Sequence, residues 1–384
     1  HGSPMSRNLL YIVNVPAFFI SHRMVLAQAA QKRGWSVSLV SGQGGSPSME
    51  TASKEILARN SIRHVQTLFR SGGINFIREL FGIVQVIISV FKIRPEVVHT
   101  ASPKGNLYGG IAARFCKTPR LIVSVSGMGS LFIGKPNTLK RIARSLYRKV
   151  FGWILRHPNC SIIVQNPDDA EELLCHGLAS KKQLIEIPGS GVDLTLYSGI
   201  SPESSLPIVL FPARMLRDKG VYEFVDAARF LKSRGYDWRF VLCGAADYEN
   251  PSSVPQEQIE AWADEDIVQL DGFVEDMPQK YAECSIVCLP SYREGMPKAL
   301  LEAAASGRAV VTTDVPGCRH AIIPGVTGLL VPAGIALGLA HSLECLMRDN
   351  ELRLRMGNEG RKLANSKFDV SAVIEITIKL YSAH

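Results

Sequence analysis

The stretch Ile286-Val287-Cys288-Leu289-Pro290-Ser291-Tyr292-Arg293-Glu294-Gly295-Met296-Pro297-Lys298-Ala299-Leu300-Leu301-Glu302 decides the fold class of this chain. Its first four residues are an apolar run with the length and composition of a buried parallel strand. Pro290 and Ser291 end the run, and a Glu-Gly-Met-Pro loop follows. Pro297 suits the first helical position, where the N–H it lacks would have had no partner. The helix it opens, from Lys298, carries Glu302 in its second turn. A helix that starts directly after a parallel strand offers unpaired N–H groups and the positive end of its dipole to an anion. Gly295 lets the backbone approach a ligand closely. Glu294 and Glu302 flank this turn eight positions apart, at most about 12 Å in helical geometry.

The same grammar of strand, turn and helix recurs on both sides. In the N-terminal half, strands are predicted at Leu9–Val15, Ser36–Ser41, Val97–Thr100, Leu121–Val125 and Ser161–Val164. In the C-terminal half they are predicted at Ile208–Phe211, Arg239–Cys243, Ile267–Leu270, Ile286–Leu289, Ala309–Thr312 and Gly328–Val331. Helical patterns lie between them, including His22 to Lys32 with Gly34 as its stop, Asn106 to Phe115, and Val221 to Leu231. Alternation of this kind gives an α/β class with doubly wound parallel sheets. The Pro- and Ser-rich segment Gly199 to Pro207 is the best linker, so residues 5–200 and 201–365 read as two domains. His1-Gly2-Ser3-Pro4, ahead of Met5, reads as an expression remnant and is set aside.

Composition narrows the class further. An apolar content of 46% supports large buried cores. The eight cysteines include no C-x-x-C pair, so neither a disulfide framework nor a zinc site is expected. That usage fits a reducing, cytoplasmic setting. Asn14 and Pro16 interrupt the first apolar run, which therefore reads as a strand rather than a signal peptide. Ile83 to Phe91 is apolar but interrupted by Gln85 and too short to span a bilayer. Charge is split: residues 1–200 carry 24 basic and 10 acidic residues, the remainder 19 and 25. From Val97 to Pro167 there are eleven basic residues and no acidic one. Within that span Leu139 to Arg156 reads as a basic helix. Leu139, Ile142, Leu146, Val150, Trp153 and Ile154 form its apolar stripe, with Lys140, Arg141, Arg144, Arg148 and Lys149 mostly elsewhere. Such a face is either solvated or in contact with anionic lipid headgroups. No aromatic-interleaved RNA motif or helix-turn-helix signature accompanies it, so nucleic acid is not expected.

A second basic element follows the strand at Ile208: Phe211-Pro212-Ala213-Arg214-Met215-Leu216-Arg217-Asp218-Lys219-Gly220. Cations at a strand-to-helix turn can neutralise a diphosphate. Together, Arg214 with Lys219 and Glu294 with Glu302 resemble the R-x4-K pair and E-x7-E motif of retaining family 4 glycosyltransferases of the GT-B fold. That resemblance implies two Rossmann-like domains, with a last helix, roughly residues 366–384, crossing back to the first. It implies that Glu294 holds the transferred sugar, with the backbone of Gly295, Met296 and Pro297 at its hydroxyls and the phosphates. Glu302 would hold the ribose, Arg214 and Lys219 the leaving diphosphate, and the Gly272-Phe273-Val274 backbone the donor base.

Within the family, His99-Thr-Ala-Ser-Pro-Lys-Gly, Ser126-Gly-Met-Gly, Tyr292 to Lys298, and Asp314-Val-Pro-Gly-Cys-Arg319 are most similar to bacterial transferases that extend undecaprenyl-diphosphate-linked sugars. The resemblance implies a UDP-sugar donor, an N-acetylhexosamine favoured, and a lipid-linked sugar acceptor, in surface polysaccharide or glycoprotein glycan assembly. It implies a peripheral enzyme on the inner face of the plasma membrane. The acceptor candidates are His99 and Lys104, at the carboxyl end of a strand, and Gly127 in the Gly-rich loop. A histidine at the position of His99 more often packs in the core. A transferase for a soluble acceptor, or a sugar-nucleotide-binding regulator without turnover, are the alternatives.

Other motifs fail. Gly129 to Pro136 ends in Pro136 where a P-loop needs a hydroxyl. No G-x-G-x-x-G follows the first strand. Asp264-Glu265-Asp266 has the D-x-D form but reads as a solvated turn, and the nine histidines lack zinc spacing. No metal or other cofactor is expected.

Overall fold

The computed structural model describes residues 7–44, 47–70, 72, 75–126, 138–197, 207–247 and 250–382. They fall into two units, residues 1–187 with 374–384, and residues 188–373.

In the first unit the strands are β1 (Arg7–Val13), β2 (Trp35–Gln43), β3 (Arg63–Arg70), β4 (Val97–Ala101), β5 (Arg120–Val125), β6 (Cys160–Val164) and β7 (Leu184–Glu186). Between them lie α1 (Pro16–His22), α2 (Met24–Lys32), α3 (Pro47–Arg59), α4 (Phe76–Ile93), α5 (Pro103–Phe115), α6 (Thr138–Leu155) and α7 (Pro167–Cys175). Among the described residues the strands form a seven-stranded parallel sheet in the order β3-β2-β1-β4-β5-β6-β7. β4 and β5 are buried at every position, as expected of continuous apolar runs covered on both faces. On one face α4, α5 and α6 lie side by side over a core that includes Leu10, Phe69, Val86, Tyr108, Phe151 and Ile154.

The second unit contains β8 (Ile208–Phe211), β9 (Arg239–Cys243), β10 (Gln269–Gly272), β11 (Ile286–Leu289), β12 (Ala309–Thr313) and β13 (Gly328–Val331). Its helices are α8 (Val221–Ser233), α9 (Gln256–Asp264), α10 (Met277–Glu283), α11 (Lys298–Ala305), α12 (Ala336–Arg348) and α13 (Asn350–Leu363). Among the described residues its sheet is six-stranded and parallel, ordered β10-β9-β8-β11-β12-β13. Strand order reverses between β8 and β11. In open α/β sheets that reversal opens a crevice beyond the carboxyl ends of the two strands. The turns that leave β8 and β11 there are the two stretches quoted from the sequence.

Two differences from the sequence reading have local causes. Residues 188–197 belong with the second unit, because Val192 N donates to Phe368 O at 2.8 Å and Val370 N to Val192 O at 3.1 Å. The last helix, α14 (Val370–Ser382), changes unit within its own length, between Val373 and Ile374. β3 and β7 were not expected. β3 is an edge strand with charged residues at both ends, and β7 is a three-residue strand at the opposite edge.

Candidate active site

The site of the second unit grows from glycines at the switch point. The backbone after β8 lies against the end of β9, where a Cβ on Gly244 would stand 2.0 Å from the Ala213 carbonyl oxygen. A short 3-10 turn, Arg217–Lys219, ends at Gly220, whose φ of +76° favours glycine. A Cβ at Gly220 would fall 2.1 Å from the Pro290 carbonyl oxygen. The turns after β8 and β11 are thus packed backbone to backbone, and Tyr292 N donates to Asp218 O at 2.9 Å.

This contact sets Lys219 Nζ on Glu294 Oε1 as an ion pair that is mostly shielded from solvent. Ser291 Oγ donates to the same carboxylate oxygen at 2.8 Å. Ser291 is itself fully buried, and its carbonyl accepts from Thr313 Oγ1 at the end of β12. Beneath the loop lies Gly317, with φ +83° and no room for a side chain. Its Cβ would stand 2.5 Å from the carbonyl oxygens of Glu294 and Gly295. The Cys318 thiol beside it is pushed up to about 12, by burial first and then by the charge of Glu294, so it stays a neutral packing group.

Two further charges border the pair. Arg214 Nη1 lies 2.6 Å from Asp247 Oδ2 at a half-exposed position. Glu302 is 8% exposed, one turn into α11, with Lys298 Nζ at 3.6 Å. Burial, and after it the negative charge of Glu302, pushes the Tyr197 and Tyr281 phenols up, and the Tyr281 hydroxyl donates to Ala299 O at 3.1 Å. α11 begins at Lys298 with no side-chain cap, Leu300 N donates to Pro297 O at 2.9 Å, and the positive end of the helix dipole lies at the turn. Three cations, three carboxylates and a helix N-terminus therefore lie about the ends of β8, β9 and β11, an arrangement able to hold an anionic ligand with attached hydroxyls.

Residues 206–349 match the sequence profile described as glycosyl transferases group 1, and residues 8–166 the one described as glycosyl transferase 4-like. Over 302 residues the chain is 32% identical to the N,N'-diacetylbacillosaminyl-diphospho-undecaprenol alpha-1,3-N-acetylgalactosaminyltransferase of Campylobacter jejuni, covering 74% of this chain and 76% of that one. The chain belongs to the family 4-like glycosyltransferases. It is also 24% identical over 337 residues to the capsular polysaccharide biosynthesis glycosyltransferase CapM of Staphylococcus aureus, covering 84% of this chain and 85% of that one. Among solved structures, Anabaena HepE in complex with UDP and glucose matches with a TM-score of 0.76 at 18% identity, covering 99% of this chain and 100% of that one. At that identity the likeness is one of fold, the GT-B fold of two Rossmann-like domains.

Of the donor-side residues expected in this glycosyltransferase, the structure joins Lys219 to Glu294 directly. Met296 is buried in one apolar cluster with Leu300 and Leu301, and Val274 packs on that cluster. Gly272 has a φ of +63° with open space around it, and Phe273 is 73% exposed. Sequence reasoning missed Ser291, Thr313, Gly317 and Tyr281. The register partnership of Leu289 with Thr312 was the available signal, because a right-handed crossover places β12 beside β11.

The acceptor candidates fare differently. His99 is 1% exposed, with Nδ1 2.7 Å from the Tyr381 hydroxyl and Nε2 2.7 Å from Ser124 Oγ. Both nitrogens are engaged within the first unit. Lys104 Nζ lies 2.9 Å from Glu79 Oε1 and donates to Arg70 O at 2.6 Å. Gly127 lies outside the described residues, as does the side chain of Lys140. Arg141 is exposed, Arg144 is half-buried, and Arg148 Nη2 lies 3.3 Å from His176 Nε2. The apolar stripe expected on this helix is corrected. Phe151, Ile154 and Leu155 make the core face, whereas Ile142 and Leu146 are exposed. The cause is that α5 meets α6 at its C-terminal half, where a Cβ on Gly110 would stand 2.3 Å from Ile154 Cγ2.

The switch point of this unit, between β1 and β4, lies at the strand end where the acceptor candidates were expected, but Asn14 and Ser102 were not singled out. Asn14 N donates to Ser102 Oγ at 2.9 Å, Ser102 Oγ to Asn14 Oδ1 at 2.7 Å, and Gly105 N to Asn14 Oδ1 at 3.0 Å. Ser102 adopts a φ of +71° to do so, a position where a non-glycine residue carries backbone strain. Among the described residues no three His, Cys, Asp or Glu side chains gather as a metal site. Asp266 is fully exposed beyond the end of α9.

Proposed function

We propose that this glycosyltransferase moves an N-acetylhexosamine from a UDP-sugar to a lipid-diphosphate-linked glycan, with retention of configuration, at the inner face of the plasma membrane. The observation that carries the reading is the Lys219–Glu294 pair held at the switch point by Ser291. Lys219 and Arg214, with the N-terminus of α11, receive the diphosphate; Glu302 receives the ribose and the Gly272–Val274 backbone the uracil. The diphosphate takes over from the carboxylates that Lys219 and Arg214 now face. Glu294, released from Lys219 and still bonded to Ser291, receives the sugar hydroxyls. In the transfer, the bond from the sugar's anomeric carbon to the β-phosphate oxygen breaks. The acceptor oxygen bonds to that carbon on the same face, and its proton passes to the departing phosphate. The side chains supply charge and position at the site of bond breaking.

Support for the acceptor comes from the Campylobacter relative, whose name states a diphospho-undecaprenol substrate. Support for the donor comes from the fold neighbour that binds UDP and glucose. The test incubates the chain with UDP-GlcNAc, UDP-GalNAc or UDP-glucose, with and without an undecaprenyl-diphosphate-linked sugar, and measures UDP. UDP release from a UDP-N-acetylhexosamine that depends on the lipid-linked acceptor is expected. Release with a soluble acceptor alone, or with no nucleotide sugar tested, overturns the reading.

A further inference from the structure

Helix α4 is apolar on both faces. Val86 and Val90 are buried in the core beside Glu79, Gly82 and Ser89, and every exposed position from Phe76 to Phe91 is apolar as well. Ile77, Phe81, Val84, Ile88 and Phe91 follow one another at helical spacing, a single stripe with Leu80 beside it. Ile77 is 69% exposed and Phe91 65%. The orientation is fixed from below. Glu79 accepts from Tyr108 at 2.5 Å and pairs with Lys104, and a Cβ on Gly82 would stand 2.8 Å from Phe69. Rotating the apolar stripe inward would break that buried polar contact and force a bulky residue into the Gly82 position. Contiguous exposed apolar surface on this scale marks an interaction face.

Charge says what covers it. The patch continues across the end of α5, where Cys116 Sγ lies 3.6 Å from Ile87 O. There the Phe115 ring stands 6.0 Å from Trp153 of α6, with Arg114 4.8 Å over the indole. From Leu80 to Arg156 the chain has thirteen basic residues and a single acid, Glu96. A second copy of the chain would set this basic face against itself. An apolar stripe bordered by cations fits an anionic bilayer, which takes both at once. α4 contains Arg78, Glu79 and Lys92, and among the described residues no helix is long and apolar enough to cross a membrane.

We propose that the outward face of α4 inserts into the headgroup–acyl boundary of an anionic bilayer, with Lys92, Lys117 and the basic side of α6 at headgroup level. This deepens the membrane reading above, which rests on a lipid-linked acceptor and places the contact on the charges of α6. The experiment uses the full chain and phosphatidylcholine vesicles with or without phosphatidylglycerol, in the absence of donor and acceptor, so it can fail without the transferase reading failing, and the reverse. Leu80→Trp should show a blue-shifted emission on anionic vesicles and quenching by brominated acyl chains. Ile77→Ser, Phe81→Ser and Ile88→Ser combined should weaken partitioning by about tenfold or more with an unchanged melting temperature. In wild type a fraction of binding should persist at 1 M salt, where screening shortens to about 3 Å. Absence of blue shift and quenching, with binding still abolished by charge reversal on α6, would mean docking by electrostatics alone and overturn the proposal. So would light scattering that shows a dimer which the triple variant dissociates.

Discussion

Among the described residues Lys219 pairs with Glu294, and it is proposed to have another partner during turnover, which makes single substitutions informative. Removing a charge-assisted contact to UDP costs about 1.5–3 kcal/mol, so Lys219→Ala and Glu302→Ala should each weaken UDP binding roughly ten- to hundredfold. Calorimetric titration with UDP checks this; unchanged affinity in both variants would remove the site assignment. Glu294→Gln is different. Glu294 competes with the diphosphate for Lys219, and its proposed ligand is the sugar. The variant should keep or tighten UDP affinity while turnover collapses, and a parallel loss of UDP affinity would count against its assignment to the sugar. The places of Glu294, Arg214 and Lys219 at strand-to-helix turns, and of Glu302 in the helix that follows, were legible from their spacing, while the roles proposed for them rest on the variants above. Gly317 and Tyr281 were not, because they pack from segments distant in sequence, nor was Ser291, whose bond to Glu294 three residues on depends on how the loop folds.

At the scale of elements, the carboxyl-terminal helix α14 is tied to the first unit by Tyr381. Its hydroxyl lies 2.5 Å from that of Tyr11 and 2.7 Å from His99 Nδ1, all three groups being buried. Tyr381→Phe leaves a buried polar group short of a partner, which costs about 1–3 kcal/mol. Urea unfolding should show that loss, and an unchanged midpoint would contradict the arrangement. The same core predicts a pH response. Burial holds His99 well below its usual value and His64 down to about 4. The unfolded chain takes up protons below about pH 6.5 while the folded chain does not, so stability should fall as pH drops from 7 toward 5. His99→Gln should flatten that slope in thermal melts, and an equally steep slope would place the titration elsewhere. Five of the six strands of the second unit were legible to within one residue, because buried parallel strands are apolar runs; β10 was expected at Ile267–Leu270 and lies at Gln269–Gly272, a polar, partly exposed edge strand. β3 and β7 were hidden by their polar edges, and the outward face of α4 by periodicity itself, which marks an apolar stripe without saying which way it points.

For the whole molecule, the charge division was plain in the sequence, while the surface proposed to meet lipid was not. The basic residues pointed to α6, and the structure adds the apolar face of α4. Metal dependence is a second property at this scale. Arg214, Lys219 and the N-terminus of α11 supply positive potential where the diphosphate is proposed to bind. Activity should therefore survive EDTA in a UDP-release assay, and a complete loss restored by Mg²⁺ would redirect attention to Asp264 and Asp266. The most direct measurement of the central claim follows the sugar itself. UDP-N-acetylhexosamine labelled in the sugar is mixed with an undecaprenyl-diphosphate-linked acceptor, the lipid is extracted, and the new linkage is read by NMR. The predicted result is label in the lipid fraction in the α configuration of the donor, abolished by Lys219→Ala; label left in the water phase, or a β-linked product, would contradict it.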